Sequence, residues 1–368
     1  MLVDKKHFKL QGFTTFNGCE LPEVNIGWES WGELNANKDN AILITHYFSG
    51  NSHAAGCYQQ DDPLPGYWDA LIGPGKAIDT NRYFVISSDT LVNQEPFNPL
   101  VITTGPASIN PATGRHWGLD FPVVTIRDFV GVQRALLASL GINRLHAVVG
   151  PSMGSLQALE WAVAFPDQVE RMVSVIGMGE ADAWTCLGLQ QWALPILNDP
   201  HWCDGDYYHR EPPLAGVQQT VMQISLSAMS PEIINRTFYT HYPLEPGPLQ
   251  DIRSQHRVTQ RFMQDCLEKA RLADANHLLY LIRANQLFLA GHGKTLSEGL
   301  QQVQARCLFL PSKGDLLLRS GLAWQTHQLL QQLGKSSEYA EIEGSWGHLD
   351  GIYSIQTQAA TLQAFLER

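Results

Sequence analysis

The chain has 368 residues, 44% of them hydrophobic and 17% charged, enough to bury one large core and still carry an inserted subdomain. A net charge of -11 argues against nucleic acid and anionic membrane as partners, which need basic stripes, and points to a small-molecule substrate. No apolar stretch of roughly 18 residues occurs and MLVDKKHFKL contains no apolar leader run, so a soluble cytoplasmic protein is expected.

Along the chain, Ala41 to Thr45, Tyr83 to Ser87, Leu145 to Gly150 and Met172 to Ile176 are short apolar runs that read as buried strands. Helical patterns separate them, which suggests crossovers and a mostly parallel sheet. Asp128 to Leu140 has apolar residues at helical spacing and ends at Gly141. A second helix is predicted from Met153 to Phe165, stopping before Pro166 because proline disfavours the α conformation in the residue before it. From about 179 to 299 the chain is rich in helix formers and in Trp, Tyr and Met, with proline breaks at EPPLAG (211 to 216) and YPLEPGPL (242 to 249). This segment reads as an inserted helical cap. Strand character returns at Arg306 to Pro311 and Glu338 to Ile342, with helices predicted at Ala323 to Leu333 and Ile355 to Leu366. The expected organisation is a sheet domain built from 1–178 and 300–368, with the cap at 179–299. No internal repeat is visible.

Gly150-Pro151-Ser152-Met153-Gly154 is a G-x-S-x-G sequence lying between the strand LHAVVG and the helix SLQALEWAVAF. In that setting it reads as a nucleophile elbow, a strained turn that lifts a serine hydroxyl above the sheet, and it points to an α/β-hydrolase fold. A serine hydroxyl needs a base, and the base needs an orienting acid. His348, in GSWGH after the last predicted strand, is the best placed of the thirteen histidines to be the base. Asp315, in PSKGD after the preceding strand, occupies the place of the acid; a turn or helix-capping aspartate is its alternative reading. The oxyanion needs two backbone N–H donors. One is expected from Met153 and the other from the loop HYFSG, where Phe48 is the choice and Tyr47 the neighbouring alternative.

Other features read as structure. Gly293-Lys294-Thr295 resembles the end of a phosphate loop, but the first glycine of that motif falls on Phe288, so a turn is expected. His201, Cys203, Asp204, Asp206 and His209 match no standard zinc spacing, and no metal is expected. Six scattered cysteines suggest reduced thiols. Trp184, Trp192, Trp202, Tyr207 and Tyr208 are either cap packing or part of an acyl pocket.

Four segments resemble the homoserine transacetylase family and its esterase-like relatives: THYFSGNSHAAG (45 to 56), YWDALIGPGKAIDTNRYFVISSD (67 to 89), TGPASINPATG with DFPVVTIRD (104 to 114 and 120 to 128), and the elbow with QALEWAVAFPDQVERM (157 to 172). The resemblance implies Ser152, Asp315 and His348 as the triad, a helical cap and a homodimer packed through the caps. It also implies transfer of acetyl from acetyl-CoA, as co-substrate, to homoserine. The departures bear on the acceptor. The transacetylases follow the catalytic histidine with an aspartate for the homoserine amino group, where this chain has Leu349, with Asp350 one place later. They carry a cap arginine for the carboxylate, and anchoring on Gly216 puts Val221 there. Pro151 and Ser155 stand where they usually have glycine, and NQEPFNPLVIT (93 to 103) differs from their glycine-rich loop. A zwitterion would find no charge-assisted partners. Hydrolysis of small, short-chain esters such as acetates, without a cofactor, is therefore expected, and homoserine O-acetyltransferase is the alternative. A non-catalytic binding protein of this fold would be marked by loss of Ser152, Asp315 or His348, and none is missing.

Overall fold

A computed structural model describes residues 1–238 and 251–368. Eight strands form its central sheet: β1 (Lys6–Thr14), β2 (Glu20–Trp31), β3 (Ala41–Thr45), β4 (Phe84–Ser88), β5 (Ala147–Pro151), β6 (Arg171–Val175), β7 (Arg306–Leu310) and β8 (Ser337–Tyr339). Their spatial order is β1-β2-β4-β3-β5-β6-β7-β8. From β4 to β8 all neighbours are parallel, while β1 pairs antiparallel with β2 and β2 with β4. The sheet is therefore mostly parallel, as its uniformly apolar central strands require: every residue of β3, β5 and β6 is buried, so both faces must be covered.

The period of two divides these strands between two apolar layers. Leu43, Ile86, Val148, Met172 and Phe309 share one layer with Phe129 and Leu136 of α1 (Ile126–Ser139) and Leu156 and Leu159 of α2 (Met153–Ala164). Ile42, Ile44, Val85, Val149, Val173 and Leu308 face the other way, against Leu362 and Phe365 of the last helix (Ala359–Glu367). α2 is buried on all sides from Met153 to Val163, so it is a core helix rather than an amphipathic one.

Between β6 and β7 the described chain is helical, with only isolated bridges. It contains α3 (Ala183–Leu197), α4 (Leu214–Ala228), α5 (Pro231–Phe238), α6 (Arg257–Ala270), α7 (Ala275–Gln286) and α8 (Leu296–Leu300). The break read at EPPLAG is the entry to α4, whose N-cap is Pro213; the one at YPLEPGPL lies outside the described residues. Helix α3 packs against α4 and α7. The α3–α4 approach is close because Gly216 leaves no room for a side chain: a Cβ there would sit 2.6 Å from the Pro195 carbonyl oxygen. These helices meet the sheet at the carboxyl ends of β3 and β5, the usual place for a ligand in an α/β sheet.

Candidate active site

Ser152 joins the end of β5 to the start of α2 with φ 55° and ψ -124°, a strained conformation for a residue with a side chain. Its neighbours explain both glycines of the motif. A Cβ on Gly150 would lie 2.1 Å from Thr45 Oγ1, and one on Gly154 would lie 2.1 Å from the Thr45 carbonyl oxygen. The end of β3 thus packs directly on the turn, and Thr45 Oγ1 donates to the Gly154 carbonyl at 2.7 Å. The Ser152 amide donates to Val175 O at 2.9 Å, anchoring the turn to β6. Ser155, one of the departures from the family pattern, donates its hydroxyl to the Ser152 carbonyl at 2.6 Å.

His348 Nε2 lies 2.7 Å from Ser152 Oγ, and its Nδ1 lies 2.7 Å from Asp315 Oδ2. All three residues are buried. Asp315 makes the contacts that both readings of it require. Its Oδ1 accepts from the amides of Leu317 and Leu318 at 2.8 and 2.9 Å, which caps the turn, while Oδ2 faces the imidazole. Because a carboxylate oxygen accepts, Nδ1 carries the imidazole proton, and Nε2 is left to accept from the serine hydroxyl.

A buried carboxylate that sequence reasoning placed only as the neighbour of Leu349 ties the two loops together. Asp350, fully buried, accepts through Oδ2 from Ser312 Oγ at 2.7 Å, and through Oδ1 from Ser354 Oγ at 2.7 Å and the Trp346 amide at 3.1 Å. Ser312 belongs to the loop carrying Asp315 and Trp346 to the loop carrying His348. No sequence signal pairs Ser312 with Asp350, which are 38 positions apart.

The loop after β3 is held on its own side. His46 is buried with its Nδ1–H donating to the Tyr47 carbonyl at 2.7 Å, and burial lowers its pKa, favouring the neutral ring. Gln157 of α2 donates to the His46 carbonyl at 3.2 Å, and Asn93 donates to Gly50 O at 2.9 Å. Phe48 stacks edge-on against Trp192 of α3, ring centroids 5.6 Å apart. Among the described residues neither the Phe48 nor the Met153 amide has an intramolecular acceptor, and Met153 opens α2 at the positive end of its dipole.

Tyr47, Phe48, Ser152, His348 and Leu349 line a common cavity of about 60 Å³. The helical layer adds Leu189 and Trp192 from α3, Ile224 and Ala228 from α4, and Asn285 from α7. Val221 is buried in α4 but is not part of this lining; Ile224, about one turn further on, holds that position. Of Trp184, Trp192, Trp202, Tyr207 and Tyr208, Trp192 alone lines the cavity. Trp202 donates to Asn276, Tyr207 and Tyr208 donate to Asp274, and Trp184 is exposed. None of the described lining residues is Asp, Glu, Lys or Arg.

The remaining candidates are elsewhere. Thr295 caps α8, its side chain accepting from the Glu298 amide, so the phosphate-loop likeness is a helix start. Among the described residues no group of three or more His, Cys, Asp or Glu is gathered as a metal would need, and all six cysteines are free. No described helix is long and apolar enough to cross a membrane.

Comparison with known proteins bears on the fold and the family. A family model for the alpha/beta hydrolase fold matches residues 64–279. A homoserine O-acetyltransferase of Symbiobacterium thermophilum is 39% identical over 334 residues, covering 90% of this chain and 86% of the relative. Among solved structures, that of esterase E22 is similar with a TM-score of 0.97 at 51% identity, covering 99% of this chain and 100% of that one. A homoserine O-acetyltransferase from Bacillus anthracis is similar with a TM-score of 0.96 at 40% identity, covering 100% and 98%.

Proposed function

The chain belongs to the homoserine O-acetyltransferase family of α/β hydrolases, and within it we propose that this enzyme is a serine esterase that hydrolyses small, uncharged, short-chain esters. The observation that carries the reading is the cavity lining. Homoserine presents a carboxylate and an ammonium group, and a desolvated site that holds such charges does so with paired ones. The described wall around Ser152 contains no acidic or basic side chain besides His348, and Leu349 and Ile224 are apolar. An acetate ester needs only a place for its carbonyl and two small apolar ends. The higher identity to esterase E22 than to the Bacillus anthracis transferase, 51% against 40%, supports the same choice.

In this reading Ser152 Oγ attacks the ester carbonyl carbon while His348 Nε2 takes the hydroxyl proton. The carbonyl π electrons move onto oxygen, where the Met153 and Phe48 amides hold the anion. Asp315, its second oxygen fixed by two amides, steadies the imidazolium through Nδ1. When the tetrahedral intermediate collapses, the C–O bond to the alcohol breaks, and the alcohol leaves with the proton from His348. Water then attacks the acyl-serine, giving one proton to His348, which returns it to Ser152 Oγ as the acyl C–O bond breaks and the carboxylic acid leaves. Only protein groups and water take part.

The transferase reading has its own support in the 39% identical Symbiobacterium thermophilum relative. It would use the same acyl-serine and replace water by the homoserine hydroxyl. The esterase reading is tested by steady-state hydrolysis of a short acetate ester with the wild type and Ser152→Ala, together with mass spectrometry of phosphonate-treated enzyme. Wild-type hydrolysis, its loss by about 10⁴-fold or more in the folded variant, and a single adduct on Ser152 are expected. A folded Ser152→Ala enzyme with near wild-type turnover would end the proposal.

A further inference from the structure

We propose that Asn285 reads a neutral hydroxyl on the substrate, so that the enzyme prefers short esters with a hydroxyl near the scissile carbonyl to their methyl counterparts. The inference rests on the esterase reading and names its substrate class. Asn285 lies in the last turn of α7, is 6% exposed and lines the cavity that contains Ser152. Its Nδ2 donates to the Leu281 carbonyl, one turn back, at 2.8 Å. That bond fixes the amide orientation, since the flipped form would set oxygen against oxygen. The Asn285 Oδ1 is then an acceptor with no donor among the described residues.

The other polar side chains that the helices bring to this wall have their donor hydrogens committed. The Thr185 hydroxyl donates to Asp182 Oδ1 at 2.8 Å, and Trp192 Nε1 donates to Ser227 Oγ at 3.2 Å. On the helical side Asn285 therefore supplies an amide oxygen free to accept, among Leu189, Ile224 and Ala228, while Tyr47 and Ser49 bring hydroxyls from the loop after β3. Leucine would serve both the helix and the packing better at this position. A polar group held in an apolar cavity calls for a partner, and an acceptor calls for a donor. The partner is uncharged, because an ammonium donor would also need a carboxylate in the wall and the described lining has none.

Two isosteric pairs of esters test this and show which side of the ester is read. 2-Hydroxyethyl acetate against propyl acetate places the hydroxyl on the alcohol, and methyl glycolate against methyl propionate places it on the acyl group. For each, kcat/KM is measured and divided by the rate of alkaline hydrolysis, in the wild type and in Asn285→Leu. The wild type should favour the hydroxylated member of one pair by about tenfold, the scale of one neutral hydrogen bond, and Asn285→Leu should abolish or invert that preference. Equal rates within both pairs for the wild type would overturn the inference while leaving the esterase reading intact, and this arm holds even if the variant fails to fold. A preference that survives unchanged in folded Asn285→Leu would also overturn it. If none of the four esters were hydrolysed, the esterase reading would fall and this inference with it.

Discussion

Replacing Asp315 by asparagine should cripple the enzyme through the tautomer of His348, for a reason visible in the hydrogen bonds of the acid. Two backbone amides, of Leu317 and Leu318, converge on Oδ1 at 2.8 and 2.9 Å, whereas Oδ2 faces His348 Nδ1 at 2.7 Å. In the variant the amide oxygen must take the Oδ1 place, since NH2 there would face two N–H donors. The NH2 group is then turned toward His348 Nδ1 and donates to it. The imidazole proton is forced onto Nε2, which points at Ser152 Oγ, 2.7 Å away, and can no longer accept the serine proton. A loss of about 10⁴-fold in kcat is expected, equivalent to about 5.4 kcal/mol at about 1.36 kcal/mol per tenfold. Asp350→Asn is the control. Its oxygen can keep the Trp346 and Ser354 donors, and its NH2 can donate to Ser312 Oγ, which turns to accept. That change should cost about 1 kcal/mol of stability and leave kcat within about tenfold. The assay is steady-state hydrolysis of a short acetate ester, with thermal melting to confirm folding. If Asp315→Asn stayed within tenfold of wild type, or Asp350→Asn were the crippled variant, the assignment of the acid would be wrong.

Further outcomes follow from the same geometry. Gly154→Ala places a methyl group 2.1 Å from the Thr45 carbonyl oxygen, so the turn must shift away from β3. We expect destabilisation by about 1–3 kcal/mol and a sharp loss of activity, and an unchanged melting temperature with full turnover would show that the turn has slack. Asp350→Ala removes the acceptor for three donors and should lower stability by about 3 kcal/mol or more in denaturant titration, well beyond Asp350→Asn; equal midpoints for the two variants would contradict this. Burial lowers the pKa of His46 and His277, and that of His292 to about 4, so the unfolded chain binds protons near pH 6.5 that the native state does not. Stability from these groups is therefore complete above about pH 6.5 and declines as pH falls toward about 4. At His277 the reason is direct: Nδ1–H donates to Asn93 O while Nε2 accepts from the Ala107 amide, and a second ring proton would face that N–H. Melting temperatures unchanged between pH 7 and 5 would refute it.

Much of the fold was legible because strands buried on both faces are apolar throughout. Ala41 to Thr45 was read at the observed limits, and the predicted strands at Tyr83, Leu145, Met172 and Arg306 lie within two residues of β4, β5, β6 and β7. The antiparallel β1–β2 pair was not read. The residues of β1 are exposed or half-buried, so KHFKLQGFT offers no apolar run. At the other edge, Glu338 to Ile342 was read as a strand, but regular pairing covers only Ser337–Tyr339, with an isolated bridge from Ser312 to Ile342. The final predicted helix is split into a short 3-10 turn and the helix Ala359–Glu367.

The site shows the same division between local and long-range information. Ser152, Met153 and Phe48 follow from short motifs, and His348 and Asp315 from chain order after a strand; the structure brings the three side chains of the proposed triad into hydrogen-bonding contact. Val221 came from an anchor at Gly216, but the helix rotates it out of the lining, and position along the sequence alone does not reveal the cavity-facing side of α4. Asn285 and Asp350 were hidden for a different reason. An asparagine in a helix and an aspartate at the start of one are ordinary in sequence, and only burial and the inventory of their partners distinguish them.

The central claim is that the acyl group on Ser152 goes to water. Supplying the enzyme with acetyl-CoA and homoserine, and separately with a short acetate ester with and without homoserine, and quantifying acetate and O-acetylhomoserine in each mixture tests it most directly. Ester hydrolysis that homoserine leaves unaltered, with negligible O-acetylhomoserine, is the predicted result, because each missing charged contact should weaken the homoserine transition state by about 2–5 kcal/mol. O-acetylhomoserine formed from acetyl-CoA with kcat/KM near about 10⁴ M⁻¹s⁻¹, the low end of ordinary enzyme efficiency, would contradict it.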